Sequence, residues 1–178
     1  MNAARALTYL VSTLFDLYIV AVLLRLCLQW VRADFYNPLT QFLVRITNPL
    51  LLPLRRIIPA IGPLDTASVV LALGLELLSL FIVTQINGIT YGWLALIVLA
   101  ITKLLMALLW LYFFLILATV IISWLGGKVR HPIIPLMYQL TEPVLRPLRR
   151  LIPPIGGLDL TPLFALIGIR FLILLLGY

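Results

Sequence analysis

The sequence predicts an all-α polytopic membrane protein with four transmembrane helices, arranged as two parallel helix–amphipathic motif–helix repeats. Three observations carry this expectation. Of the 178 residues, 63% are hydrophobic and 11% charged, and the mean hydropathy is +1.17, whereas a soluble domain is nearer half apolar. Four apolar runs approach or reach the length of about 20 residues that crosses a bilayer. One stretch also recurs: residues 47–65 read TNPLLLPLRRIIPAIGPLD and residues 141–159 read TEPVLRPLRRLIPPIGGLD. At an offset of 94 residues, 14 of the 29 positions from Asn37/His131 to Asp65/Asp159 are identical. A self-match at fixed offset marks two copies of one structural unit, here residues 1–86 and 87–178.

Taken in order, the first run is Tyr9–Trp30. It lacks a small-residue cleavage site and carries Asp16 and Arg25, so it reads as a retained helix and not a removed signal peptide. The motif at 37–65 follows, then a second run at 66–86. Asn87-Gly88 is a turn signal. Tyr91–Thr102 is apolar but short, and reads as an N-terminal extension of the third run, Leu104–Leu125. The second motif at 131–159 leads into Leu160–Leu176, the shortest run. The offset carries the first run onto the third, placing Tyr18 on Tyr112 and Trp30 on Trp124.

Charge sets the expected topology. Arg32, Arg45, Arg55 and Arg56 lie around the first motif, and Lys128, Arg130, Arg146, Arg149 and Arg150 around the second; these are 9 of the 13 Lys and Arg. Arg5 and Lys103 stand alone on the other side. The positive-inside rule then puts both motifs in the cytoplasm and both termini outside. The net charge of +7 accompanies apolar runs, which points to anionic lipid and not to nucleic acid. Cys27 and His131 are single, so neither an intrachain disulfide nor a multi-Cys/His metal site is expected. No P-loop, dinucleotide fingerprint or nucleophile elbow is present. No enzyme activity, catalytic residue, cofactor or metal is expected.

Within the motif, Asn37-Pro38 has the form of an N-cap followed by proline at the first helical position. Leu39, Phe42, Leu43, Ile46 and Leu50 then make one apolar stripe, as Ile133, Leu136, Met137 and Leu140 do in the second copy beside a helix-disfavouring Pro135. Such an amphipathic segment between spans belongs in the membrane interface. Pro49, Pro53 and Pro59, matched by Pro143, Pro147 and Pro153, predict short helical pieces with fixed bends. Gly62 and Gly156 predict tight turns. Arg55, Arg56, Arg146, Arg149 and Arg150 have three readings: snorkelling topology markers, contacts to anionic head groups or a partner, or partners of Asp65 and Asp159. Asp65 and Asp159 are expected to cap the helices that follow by accepting backbone N–H groups.

Charges inside apolar runs are functional candidates by default. Arg25 is near enough to Trp30 to snorkel, and Asp16 lies deeper. Glu76 and Arg170 are repeat equivalents, each 11 residues beyond its aspartate. That spacing is about 16 Å along a helix and near the bilayer centre. A buried Glu76–Arg170 ion pair across a pseudo-twofold axis is the expectation, locking helix packing or serving as a gate. A polar path would draw on Asp16, Glu76, Ser12, Gln29, Thr84, Thr102, Thr119 and Ser123, a sparse lining for a pore formed by one chain.

The doubled PxLxPLRRxIPxxGxLD pattern resembles that of the YggT family (YlmG-like membrane proteins). Here it runs from Pro49 through Pro53-Leu54-Arg55-Arg56 and Pro59 to Gly62 and Asp65, and again from Pro143 through Pro147-Leu148-Arg149-Arg150 and Pro153 to Gly156 and Asp159. The resemblance implies a small integral protein of the bacterial cytoplasmic (inner) membrane, linked in some members to osmotic stress tolerance and potassium homeostasis. In others it implies cell division or, in plastids, cytochrome assembly. It supplies no catalytic residues. The partners expected are anionic membrane lipids and a membrane protein or a second copy of the chain. Two mechanisms stay open: an adaptor or assembly factor that presents the motifs, and an ion channel or transporter component.

Overall fold

The computed structural model describes residues 2–124, 131–152 and 159–177. Among them it forms six helices: α1 (Asn2–Trp30), α2 (Pro38–Ile57), α3 (Thr66–Asn87), α4 (Trp93–Trp124), α5 (Ile133–Leu151) and α6 (Thr161–Leu175). Three are long and apolar enough to cross a bilayer: Ala3–Trp30, Thr66–Asn87 and Trp93–Trp124. These helices point to a membrane protein. The fourth expected span, α6, has 15 residues, or about 22 Å, short of the hydrocarbon core of about 30 Å. The four-span arrangement is therefore matched in length by three helices, with α6 as a shorter apolar element.

The third run is longer than its hydropathy core. Residues 93–103 continue directly into it, giving one helix of 32 residues, because no proline or glycine interrupts Trp93–Trp124. The turn before it forms as expected. Gly88 takes the left-handed conformation (φ 65°) and its amide bonds the Gln85 carbonyl, while the Ile89 amide bonds that of Thr84. These bonds satisfy carbonyls that the end of α3 would leave open.

The chain gathers into two compact units that do not coincide with the two sequence repeats. One comprises residues 1–26 and 43–108, the other residues 27–42 and 109–178. In the first, Ile19, Val22 and Leu23 of α1, Leu43 and Leu51 of α2, Ala67, Leu71 and Ala72 of α3, and Leu96, Ala100 and Met106 of α4 are buried. In the second, Ile116 of α4, Leu145 of α5 and Ala165, Ile169 and Ile173 of α6 form a core, closed by Leu109, Trp110, Tyr112, Phe113, Val144 and Leu148. Burial follows the helical period along α6, where Thr161, Ala165, Ile169 and Ile173 recur every fourth residue.

Candidate functional site

Each motif helix is preceded by a side chain that accepts a backbone amide of its first turn. The Asn37 Oδ1 accepts the Leu39 amide at 3.0 Å, with Pro38 first in α2. Its repeat equivalent His131 does the same for the Ile133 amide through Nδ1, at 3.3 Å. The Asn37 amide group also donates to the Pro132 carbonyl at 2.6 Å, joining the starts of the two motif helices.

The prolines do not break these helices. α2 runs through Pro49 and Pro53, and α5 through Pro143 and Pro147, where separate short pieces were expected. Donors from α1 brace the stretch just before Pro49. Tyr18 Oη donates to the Ile46 carbonyl (3.0 Å), and Arg25 Nη1 reaches the Val44 carbonyl (3.4 Å) and Thr47 Oγ1 (2.5 Å). Arg25 is therefore buried and bonded, not snorkelling. Pro135 falls in the first turn of α5, where its missing N–H costs nothing.

Both motifs end in an arginine–aspartate clasp, which bears out the pairing reading for one arginine of each doublet. Arg55 Nη2 lies 2.6 Å from Asp65 Oδ2, and Arg149 Nε lies 3.0 Å from Asp159 Oδ2. The first clasp closes over a tight turn in which Ile61 and Leu64 exchange backbone hydrogen bonds around Gly62 (φ 59°). Gly156 and Pro153, the equivalents in the second copy, lie outside the described residues, as do Lys128 and Arg130.

The clasps differ in what surrounds them. Asp65 is buried and is the N-cap residue of α3, yet its carboxylate takes Arg55 and the Ser68 hydroxyl, and no backbone amide. The arginine outcompetes the amides because it offers a charged donor. Asp159 is exposed and accepts the Thr161 amide at 2.9 Å, as a capping group does. Glu142 adds a second carboxylate to Arg149 at 2.9 Å.

Protonation follows from these partners. Burial pushes the Asp65 carboxyl up, but hydrogen bonds from Arg55 and Ser68 and the charges of Arg55 and Arg25 outweigh it and hold it below its ordinary value. Burial raises Asp159 as well, and its bonds from Thr161 and Arg149 again win, leaving it lowered. Burial lowers Arg149, but Asp159 and Glu142 together raise it.

The second arginine of each doublet remains outward. Arg56 and Arg150 are exposed, as are Arg45 and Arg146. Beside them Ile57 is 80% and Leu151 77% exposed. Each motif helix thus carries a basic edge against an uncovered apolar edge.

The charges within the long helices pair otherwise than symmetry suggested. Lys103 is the cation at Glu76: its Nζ stands 2.5 Å from Glu76 Oε1 and 4.0 Å from Asp16 Oδ1. Glu76 is 1% exposed. Arg170, the expected partner, is exposed on α6 with its guanidinium 5.5 Å from the centre of the Trp110 ring. The expectation placed Lys103 beyond the membrane on the side away from the motifs, whereas α4 carries it in mid-helix. The apolar run on both sides of Lys103 was the available signal. Among the supposed pore-lining hydroxyls, Thr84, Thr102 and Thr119 bond carbonyls of their own helices, a local satisfaction that withdraws them from any path. Cys27 is buried. Among the described residues no three of His, Cys, Asp and Glu gather as a metal site.

Comparison with known proteins matches the CCB3/YggT family over residues 4–86 and again over 98–178. A Vibrio alginolyticus protein described as uncharacterised is 44% identical over 97% of this chain and 94% of its own. An uncharacterised Pseudomonas aeruginosa protein is 43% identical over 94% of this chain and 86% of its own. Escherichia coli (strain K12) YggT, also uncharacterised, is 40% identical over 88% and 81%. No solved structure matches the chain. Matched twice by one family profile, with a clasped motif in each copy, the chain belongs to the CCB3/YggT family.

Proposed function

We propose that this protein is a non-enzymatic, multi-pass protein of the bacterial inner membrane that uses α2 and α5 as paired basic interfacial helices, contacting anionic head groups and acting as an adaptor. The observation that carries the reading is the division of labour within each Arg-Arg doublet. Arg55 and Arg149 are tied to Asp65 and Asp159, while Arg56 and Arg150 are exposed beside uncovered Ile57 and Leu151. Topology alone needs only positive charge, not a fixed outward arginine next to an apolar edge. In this reading α6 completes a fourth crossing, the motifs face the cytoplasm and the termini face outward. The biological setting implied by the resemblance is osmotic stress tolerance and potassium homeostasis. Assembly of cell-division or cytochrome complexes, with a membrane partner or a second copy of the chain, suits the same adaptor mechanism.

The test is lipid selectivity in mixed vesicles carrying a spin-labelled anionic lipid. The motionally restricted fraction should favour anionic over zwitterionic lipid. Arg56→Gln with Arg150→Gln should lower that preference about fivefold per arginine, and high salt should do the same. Equal restriction of both lipids by the wild type would end the reading.

A second reading, a component of ion flux, is favoured by one observation: Glu76 and Lys103 are joined within apolar helices, with Asp16 beside them. Dye-reported potassium or proton flux in liposomes that vanishes in Glu76→Gln would support it.

A further inference from the structure

One set of equivalent positions has different neighbours in the two repeats. In the second copy, Ile169 is part of a buried core, and Leu109, Tyr112 and Val144, each partly buried, pack against it. Their equivalents 94 residues earlier are Phe15, Tyr18, Leu50 and Leu75. These four do not close. With Leu14, Ile46 and Pro49 they line an open groove of about 460 Å³ between α1, α2 and α3. That is within the range of about 300–1,000 Å³ typical of ligand sites. The lining is almost wholly apolar, and the one polar tip on it, Tyr18 Oη, is already donating to the Ile46 carbonyl.

An open apolar groove in an apolar surface has to be filled, because atoms facing a void lose their dispersion contacts. Within a bilayer the hydrophobic effect does not choose the occupant, since lipid tails are as apolar as the groove. Selection must come from a polar group at its edge. α2 supplies one. Arg45 and Arg56 stand one turn before and two turns after Pro49, at spacings that return to nearly the same side of a helix. Both are exposed. A phosphate is the group a pair of guanidinium forks recognises.

We propose that this groove is a lipid site: it holds one acyl chain of an anionic glycerophospholipid whose phosphate is bound by Arg45 and Arg56. The inference rests on the lipid-contacting reading above and adds a discrete bound lipid in the first repeat.

The test uses the full chain in vesicles of phosphatidylcholine with a minor share of phosphatidylglycerol, one or the other brominated on its acyl chain. Phe15→Trp places an emitting ring in the groove. Its added emission should be quenched more strongly by brominated phosphatidylglycerol than by the brominated choline lipid, by about fivefold in effective affinity per arginine. Arg45→Gln with Arg56→Gln should abolish that preference and leave quenching itself. Leu109→Trp, at the equivalent position in the second repeat, serves as the reference and should show no such preference. Equal quenching by the two lipids at position 15, or shielding from both, would overturn the proposal. If Phe15→Trp does not fold, lipid retained by the wild type through detergent washing decides: about one phosphatidylglycerol per chain, lost in the double arginine variant, is expected, and none retained overturns it. Anionic selectivity that persists at the motif helices without groove quenching would end this inference alone. Absence of any selectivity would end the underlying reading as well.

Discussion

Asp65 and Asp159 occupy the same place in two copies of one motif, and their surroundings decide what each is worth. Asp65 is buried with Arg55 and Ser68 as donors, whereas Asp159 and Arg149 are 43% and 40% exposed. A charged hydrogen bond sheltered from water contributes about 2 kcal/mol, and an exposed ion pair less than about 1 kcal/mol. Asp65→Asn should therefore lower the melting temperature by about 4–8 °C in detergent, and Asp159→Asn by much less. Equal shifts would show that the clasps are equivalent. The pH dependence has a definite sign. A carboxyl whose value is lower in the folded than in the unfolded chain adds stability above its ordinary range, near pH 4. That contribution is lost as the pH falls through the lowered value of the folded state. Acidification below about pH 4 should thus progressively erase the difference between wild type and Asp65→Asn. The Arg–Asp pairing was legible in the sequence because both residues recur at one spacing. Ser68 and Glu142, which set the difference, recur in neither copy.

Single elements were read well where a local signal exists and poorly where the determinant lies far along the chain. The bounds of α3 follow from composition and from the Asn87-Gly88 turn, and the start of α2 from Asn37-Pro38. The continuity of α2 through Pro49 and Pro53 was not legible. The α1 side chains that brace the stretch before Pro49, Tyr18 and Arg25, are 28 and 19 residues away from the atoms they bind, and no propensity within α2 announces them. Tyr18→Phe removes one of these donors with almost no change in shape. A lost neutral hydrogen bond of this kind costs about 1 kcal/mol, so a fall of about 2–4 °C in melting temperature is expected. Amide exchange in residues 44–50 should speed up at the same time, and exchange unchanged there would show that α2 tolerates its prolines unaided.

At the scale of the molecule, the repeat was plain in the sequence, but the exchange of parts between its copies was not. Glu76 of the first copy takes Lys103 from the second, Asn37 of the first bonds Pro132 of the second, and each compact unit draws segments from both. Symmetry had pointed to Arg170 as the partner of Glu76 because it compares positions and knows nothing of contacts. A chain cut between the copies should reveal the exchange. Residues 1–86 alone leave Glu76 buried without its cation, at a cost of about 3–5 kcal/mol, and should not form a stable product in membranes. Co-expression with residues 87–178 should rescue them, and a stable first half alone would refute the exchange. The length of α4 carries a consequence of another kind. Trp93 and Trp124 lie at its two ends, 75% and 82% exposed, and 31 steps of 1.5 Å separate them by about 46 Å. Indole rings settle at head-group level, so the helix spans more than the full bilayer of about 40–45 Å and must lean to keep both rings in place. The lean deepens as the bilayer thins and relaxes as it thickens, so the angle of α4 reads out the thickness of the membrane around it.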